Sequence, residues 1–249
     1  MRIVDGLLSR RDFLSVAMTA GAMSAAGIIV GSRAFPAEPE LKNRLAGKII
    51  KIKGDIRVNG NPIKAGIEVF DKDILTTGNK SQAWAILDNA IAAQFNQNTL
   101  VSIHGNIPPE ANSLKGLELN LVSGSVLAQT RKFDKAEEYP FVVRTPVATA
   151  GVRGTTFYVE HMSPEKTYIC ACYKEVTFTP AANPGLAITK NVSKHTAYII
   201  NAPGDGNNEI FNPAGLIGHD DYEIEALRKA LKKETGHDSE YPRREDSSY

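Results

Sequence analysis

The fold is decided by residues 83–103, which read AWAILDNAIAAQFNQNTLVSI. Short apolar and alternating runs of this kind are typical of strands that place one face on a core. The runs are interrupted at Asp88-Asn89 and at residues 96–98, where aspartate and asparagine favour turns. The stretch therefore predicts a meander of three strands, at 83–87, 91–95 and 99–103.

The same pattern continues in both directions from this stretch. Upstream, residues 47–58 form a run that ends at Asn59-Gly60, a dipeptide that favours a type I′ hairpin turn. Downstream, Ser123-Gly124 indicates another hairpin-like break, and the charged residues 131–138 indicate an exposed loop. Further strands are predicted at 117–122, 125–129, 141–144, 155–160, 167–173, 175–179 and 196–201. The fold class is therefore mostly β, with short antiparallel strands.

One helix is predicted near the carboxyl end, inside an extension that covers residues 181–236. Asp220 and Glu223 form a capping box, and Gly236 favours the end of the helix. An apolar stripe with helical spacing is formed by Ile224, Leu227 and Leu231, so the helix is expected to dock on the sheet. The polar residues 237–249 are expected to be disordered.

Composition excludes some classes of protein. The chain has 249 residues, and its formal net charge is +1. Basic and acidic residues are interleaved, so no basic field favours nucleic acid as a partner. The sequence has no nucleophile elbow, phosphate-binding loop or zinc-protease helix motif, which indicates a protein that is not an enzyme.

The amino terminus resembles an export signal. A pair of arginines, Arg10 and Arg11, is followed by Phe13 and Leu14, as in the twin-arginine pattern. An uncharged run rich in alanine and glycine follows at 16–30. After it, Ser32-Arg33-Ala34 has the small-x-small pattern of a signal-peptide cleavage site. We therefore expect a signal peptide at 1–34, a linker at 35–43 and a periplasmic location.

Two alternatives to a cleaved signal stay open. One is an uncleaved anchor in the inner membrane, which is less favoured than cleavage because the run at 16–30 is about 15 residues long, short of the roughly 20 that span a bilayer. The other is an N-terminal helix that carries the arginine pair by chance. If the signal stays uncleaved as an anchor, the protein contacts the membrane only through this N-terminal segment.

The stretch 145–157, TPVATAGVRGTTF, closely resembles the signature of the FecR domain family. Members of that family are periplasmic β domains named after an iron-transport regulator. Segments 47–58, 73–78 and 83–88 resemble its earlier strands and turns, so the resemblance covers about residues 44–180. The residues that carry the signature are Thr145, Pro146, Gly151, Val152, Arg153, Gly154, Thr155 and Phe157.

The resemblance implies an all-β domain outside the cytoplasmic membrane. It does not imply that the protein is an enzyme. Regulatory members control a sigma factor from a cytoplasmic segment that precedes a membrane span. Here eight residues precede Ser9 and no adequate span follows, so direct sigma-factor control is not expected.

The signature is interpreted as a tight structural corner. Pro146 fixes φ, and Gly151 and Gly154 permit a positive φ or a close backbone approach. Arg153 between them can donate to carbonyl groups or to a carboxylate. A single arginine is not a binding constellation, so the structural interpretation of Arg153 is favoured over a ligand-binding role.

Two cysteines, Cys170 and Cys172, lie in a predicted strand, so both sulfur atoms point to the same face. Two residues of strand span about 6.7 Å, and the parallel side chains make a relaxed disulfide between them unfavourable. With His195 and His219 they would form a Cys2His2 set suited to zinc or another soft transition metal.

The spacing of these four residues matches no recognised zinc finger or ribbon, so alternatives stay open. In the first alternative, the cysteines are buried small apolar residues and the histidines are ordinary surface groups. In the second, the cysteines form a strained or an intermolecular disulfide. No other cofactor is indicated.

The function predicted first is a non-enzymatic FecR-like module that binds an envelope protein or ligand and senses or organises something there. The alternative is a periplasmic protein that carries a metal or cofactor at the Cys-x-Cys and histidine set.

Overall fold

The computed structural model describes residues 44–105, 116–133, 140–152, 154–204 and 209–239. The predicted signal peptide at 1–34, with Arg10, Arg11, Phe13 and Leu14, lies outside these residues, and so does the predicted linker. Arg153 and residues 134–138 of the predicted exposed loop lie outside them too.

Most of the described chain is β-strand, so the predicted fold class is confirmed. Within the described residues the strands are β1 Leu45–Lys53, β2 Ile56–Val58, β3 Asn61–Pro62, β4 Glu68–Phe70, β5 Ile74–Thr77, β6 Gln82–Leu87, β7 Ile91–Phe95, β8 Leu100–Gly105, β9 Leu117–Thr130, β10 Phe141–Arg144, β11 Ala148–Val152, β12 Thr156–Ser163, β13 Lys166–Pro180, β14 Ile188–Val192, β15 Thr196–Asn201 and β16 Phe211–Ala214. The single helix, α1, is Asp221–Thr235.

The strands form two sheets that share two long strands. Sheet 1 has the order β4-β1-β6-β7-β9-β12-β13-β15-β16, and sheet 2 has the order β3-β2-β5-β8-β9-β10-β11-β13-β14. Neighbours are antiparallel, except that β9 and β10 are parallel among the described pairs. The shared strands β9 and β13 therefore join the two sheets covalently.

Each shared strand changes sheet at a residue with positive φ. In β9 this residue is Gly124, with φ 76°, and in β13 it is Lys174, with φ 62°. Residues 117–123 of β9 pair within sheet 2, and residues 124–130 pair within sheet 1. The predicted hairpin at Ser123-Gly124 is therefore wrong. The left-handed glycine bends one continuous strand instead of reversing it.

Short turns follow the sequence predictions more closely. Asn59 and Gly60 have φ 51° and 78°, and Val58 pairs with Asn61, so the predicted type I′ hairpin is confirmed. Asp88 and Asn89 have φ 47° and 51° between β6 and β7, which also matches a type I′ turn. Asparagine and aspartate tolerate this conformation because their short side chains bond to nearby backbone.

The FecR-like signature forms a corner, as expected, and of the two predicted glycines only Gly154 has the left-handed φ. Thr145 closes the turn between β10 and β11, since its Oγ1 accepts from Ala148 N at 2.9 Å. Gly154 has φ 65°. Gly151 lies inside β11 without a left-handed φ, and an added Cβ would meet no atom within 4 Å. The predicted need for glycine at position 151 is therefore wrong.

The other described signature residues pack or pair. Phe157 is fully buried, and its ring meets the edge of Phe141 with centroids 5.4 Å apart. Val152 pairs with Val176 across β13. Thr155 N donates to Thr130 Oγ1 at 3.0 Å. These contacts give the signature a structural role.

The apolar residues form two groups, one on each face of sheet 1. The larger core lies between the two sheets and contains, for example, Phe95, Leu119 and Phe178. The second group lies on the outer face of sheet 1, where Ile86, Ala92 and Leu127 are covered by helix α1. Among the described residues, no helix is long and apolar enough to span a membrane.

Helix α1 confirms the predicted capping and docking. Asp220 Oδ1 accepts from Glu223 N at 2.9 Å, and Gly236 ends the helix with φ 77°. The predicted disorder from residue 237 starts too early. Asp238 forms ion pairs with Arg228 at 2.7 Å and Lys232 at 3.3 Å, so the chain stays ordered through Ser239. Residues 240–249 lie outside the described part of the chain.

Candidate metal centre

The two cysteines lie side by side on the outer face of sheet 1. Alternation along β13 places Ile169 and Ala171 in the core between the sheets and Cys170 and Cys172 under helix α1. Both thiols are buried, and their Sγ atoms are 3.9 Å apart. The prediction that both sulfurs share one face is confirmed.

His195 reaches the cysteines from the residue before β15. The register Ala171↔Thr196 between β13 and β15 carries His195 alongside the cysteine pair. Its Nδ1 lies 3.5 Å from Cys170 Sγ. Its Nε2 lies 3.0 Å from Asp221 Oδ1, in the first turn of helix α1. One ring nitrogen therefore faces the thiol while the other faces a carboxylate.

His219 reaches the cysteines from the residue before the helix N-cap. Its Nε2 lies 3.1 Å from Cys172 Sγ, and its Nδ1 lies 2.9 Å from the carbonyl oxygen of Ile217. The imidazole stacks on the Tyr158 ring, with centroids 4.5 Å apart and planes at 17°. Gly218 is required beside this stack because an added Cβ would lie 2.6 Å from Tyr158 Cζ.

The hydrogen-bond partners select one tautomer of each histidine. A carboxylate and a carbonyl oxygen only accept, so His195 Nε2 and His219 Nδ1 carry the donated protons. The remaining nitrogens, His195 Nδ1 and His219 Nε2, then present lone pairs to the two sulfur atoms. This arrangement, with an acceptor behind each imidazole, is the usual one around histidines that bind metal.

The four ligand atoms fit a single tetrahedral ion. They all lie within 4.8 Å of one another. With Zn–S of about 2.3 Å and Zn–N of about 2.0–2.1 Å, a tetrahedron has edges of about 3.8 Å for S···S and about 3.6 Å for S···N. The Sγ···Sγ distance is 3.9 Å, and the two S···N contacts are 3.5 and 3.1 Å. The three distances are close to the edges of such a tetrahedron, so the four atoms could surround one ion.

The pKa values of the two thiols shift in opposite directions. The Cys172 thiol donates to Cys170, which holds the pKa of Cys170 well below its usual value. Burial raises the pKa of Cys172 well above its usual value. When the His195 ring is protonated, its Nδ1 donates to Cys170 instead of presenting a lone pair, and this hydrogen bond raises the pKa of His195. A divalent cation held by Cys170 and Cys172 would displace any remaining thiol proton, because both sulfur atoms would bind it as thiolates.

This geometry bears on the alternatives for the cysteines. Both thiols are free, and their sulfur atoms are buried, so neither forms a disulfide within the described chain. The histidines are not ordinary surface groups, because each ring nitrogen has a polar partner in or behind the cysteine pair. Among the other histidines, His104 bonds to Ser102 on sheet 2, outside this centre.

Three members of the centre were not predicted from the sequence. Asp221 orients His195, the Ile217 carbonyl orients His219, and Tyr158 stacks on His219. A carboxylate at a helix N-terminus is already explained by the macrodipole, which obscures its second role. Tyr158 looks like a core aromatic in a strand, so its contact with His219 could be found only in three dimensions.

Comparison with known proteins agrees with the resemblance seen in the signature. A family model described as "FecR protein" matches residues 73–171. The match lies inside the predicted 44–180 segment and includes Cys170, but it ends before Cys172, His195 and His219. The candidate centre is therefore built at the carboxyl edge of the matched segment and from the extension beyond it.

Solved structures give a more distant likeness. The chain is similar to two crystal structures of a "putative anti-sigma factor" from Parabacteroides distasonis ATCC 8503. In one the identity is 14%, the TM-score is 0.43, and the match covers 64% of this chain and 72% of that chain. In the other the values are 15%, 0.40, 66% and 92%. No match was found among curated proteins.

Proposed function

We propose that this chain is an exported, non-enzymatic FecR-like module that binds one zinc ion, or another soft transition metal, between Cys170, Cys172, His195 and His219. The observation that carries the proposal is the convergence of four ligand atoms, from β13, the β15 edge and the start of α1, within 4.8 Å. Chance rarely places two thiols and two correctly oriented imidazoles together in a buried site.

The ligand set indicates the kind of metal. Two thiolates and two imidazoles favour zinc or another soft or borderline ion over calcium or magnesium, which take oxygen ligands. Both cysteines are almost fully buried and His219 is 7% exposed, so water reaches the centre mainly beside His195. A bound metal would also protect the two thiols from oxidation outside the cytoplasm.

The same ligand set favours binding over catalysis. Four protein ligands fill a tetrahedral coordination sphere and leave no position for a substrate or for an activated water. Such a site stabilises structure and can report the presence of metal. This agrees with a sensing or regulatory role for a FecR-like domain, exerted through an envelope protein or ligand as partner.

The metal proposal is tested by zinc analysis of the purified chain. The wild-type protein is expected to hold about one zinc per chain after dialysis, and His219→Ala is expected to hold much less than half of that, because it loses a buried ligand. His104→Ala is the matched control, since it removes a histidine from sheet 2 and leaves the centre intact. Zinc retained equally by both variants would contradict the proposal.

The periplasmic location is tested separately. Arg10→Lys with Arg11→Lys keeps the charge but breaks the twin-arginine pattern, so the variant is expected to stay in the cytoplasm. Cell fractionation with a cytoplasmic and a periplasmic marker measures the outcome. A variant that is exported as fully as the wild type would show that the arginine pair is not the export signal.

A further inference from the structure

The start of helix α1 carries His219 to the cysteines and orients His195, which β15 places beside them. His219 precedes the N-cap Asp220 directly, and His195 is held by Asp221 in the first turn. Neither cysteine belongs to the helix, since both lie on β13. A metal bound by all four residues would therefore tie the helix N-terminus to sheet 1.

The rest of the helix is held by its apolar face. Ile224, Leu227 and Leu231 are fully buried against the outer face of sheet 1. A 15-residue helix is marginal on its own in water, so α1 depends on this docking for its structure. Docking and helix formation are therefore one event.

Polar contacts hold the helix less strongly. Gln94 Nε2 on β7 donates to Glu223 at 2.9 Å, and Arg228 pairs with Glu225 and Asp238 at the carboxyl end. Glu225 lies on the helix and Asp238 follows it, so these two ion pairs do not link α1 to sheet 1. The chain after the helix is linked to the end of β9 by a hydrogen bond from Lys132 N to Asp238 O at 2.8 Å. A bound metal would add an anchor at the start of the helix to the one that its apolar face provides.

We propose that metal binding and docking of helix α1 are one coupled equilibrium, so that loss of the metal releases the helix. This rests on the metal-binding function proposed above. Release exposes the outer face of sheet 1 at Ile86, Ala92 and Leu127 together with the apolar stripe of the helix. The module then reports metal occupancy as an exposed apolar surface, the kind of feature that marks protein interaction sites.

Hydrogen exchange of the full chain tests the coupling. The expected result on stripping zinc with a chelator is about 10- to 100-fold faster exchange of the amides in residues 221–235, the usual span of coupling between two sites. Amides of β5 and β8, on sheet 2, are expected to keep their protection and serve as the internal control. Zinc binding is measured by calorimetry on the same sample.

The outcomes separate the two proposals. A chain that binds no zinc overturns the metal-binding function and this inference together. A chain that binds zinc while the exchange of residues 221–235 stays the same with and without zinc overturns this inference alone.

Linkage supplies a second test, because zinc affinity falls by the factor by which a change lowers the docked fraction of the zinc-free chain. Leu227→Ala, or the milder Ile224→Val, is expected to lower zinc affinity by about fivefold or more without touching a ligand. Leu119→Ala is the matched control, since Leu119 is equally buried but lies between the sheets. Equal zinc affinity in Leu227→Ala and Leu119→Ala overturns the coupling.

Discussion

The Cys170→Ser, Cys172→Ser double variant is expected to lose the thermal stabilisation that zinc gives the wild-type chain. At free zinc about a thousandfold above its dissociation constant, binding to the native state adds about 4 kcal/mol. For a domain of this size that corresponds to a melting temperature about 8–16 °C higher. Serine hydroxyls do not ionise near neutral pH and are poor ligands for a soft ion, so the variant gains almost nothing.

Comparing each protein with its own chelated form removes the direct cost of burying two hydroxyl groups. Melting followed by circular dichroism, with zinc and with chelator, gives both values. The His104→Ala variant is expected to show the full zinc response. A double variant that responds to zinc as the wild type does would place any metal elsewhere in the chain.

Gly124→Ala is expected to destabilise the fold by about 3 kcal/mol or more. Gly124 has φ 76°, a conformation that costs an alanine about 1–2 kcal/mol. A Cβ there would also lie 2.5 Å from Thr99 Cα and 2.8 Å from Thr99 N, and such overpacking costs about 1–3 kcal/mol. Urea unfolding measures the change in the free energy of unfolding.

Gly151→Ala is the matched control within the same domain. Gly151 lies in β11 without a left-handed φ, and an added Cβ meets no atom within 4 Å, so the change is expected to be close to neutral. Equal costs for Gly124→Ala and Gly151→Ala would contradict the bent-strand interpretation of β9.

Local features of the fold could be predicted because their signals are local. The turns at Asn59-Gly60 and Asp88-Asn89 need positive φ, which these residues tolerate. The N-cap at Asp220 and the stop at Gly236 are also short-range patterns, whereas the Glu223 side chain accepts from Gln94 Nε2 on β7 and does not complete the predicted capping box. What the sequence could not reveal is that β9 and β13 each serve two sheets. A glycine that bends a strand looks the same in sequence as one that turns a hairpin.

The candidate centre was predictable in part for the same reason. Period-two geometry places Cys170 and Cys172 on one face from their spacing alone. His195 and His219 lie 23 and 47 residues after Cys172, and only the pairing of β15 with β13 and the docking of α1 bring them there. Asp221 lies in the first turn of α1, where the macrodipole alone favours a carboxylate, and its bond to His195 depends on that same docking.

The position of the centre separates it from the FecR-like match. The matched segment, residues 73–171, supplies one of the four ligands, and the extension after it supplies both histidines. A FecR-like domain without this extension would lack the site. The proposed metal binding would thus depend on the way helix α1 covers the outer face of sheet 1.

The most direct test of the account is the absorption spectrum of the purified chain titrated with Co²⁺, which takes the tetrahedral sites that zinc occupies and reports its ligands. Titration is expected to saturate at about one cobalt per chain. The spectrum is expected to show intense visible bands of tetrahedral coordination and a thiolate-to-cobalt band in the near ultraviolet, and the double serine variant is expected to lack the thiolate band. A weak octahedral spectrum without a thiolate band would contradict the central claim that Cys170, Cys172, His195 and His219 bind one metal ion.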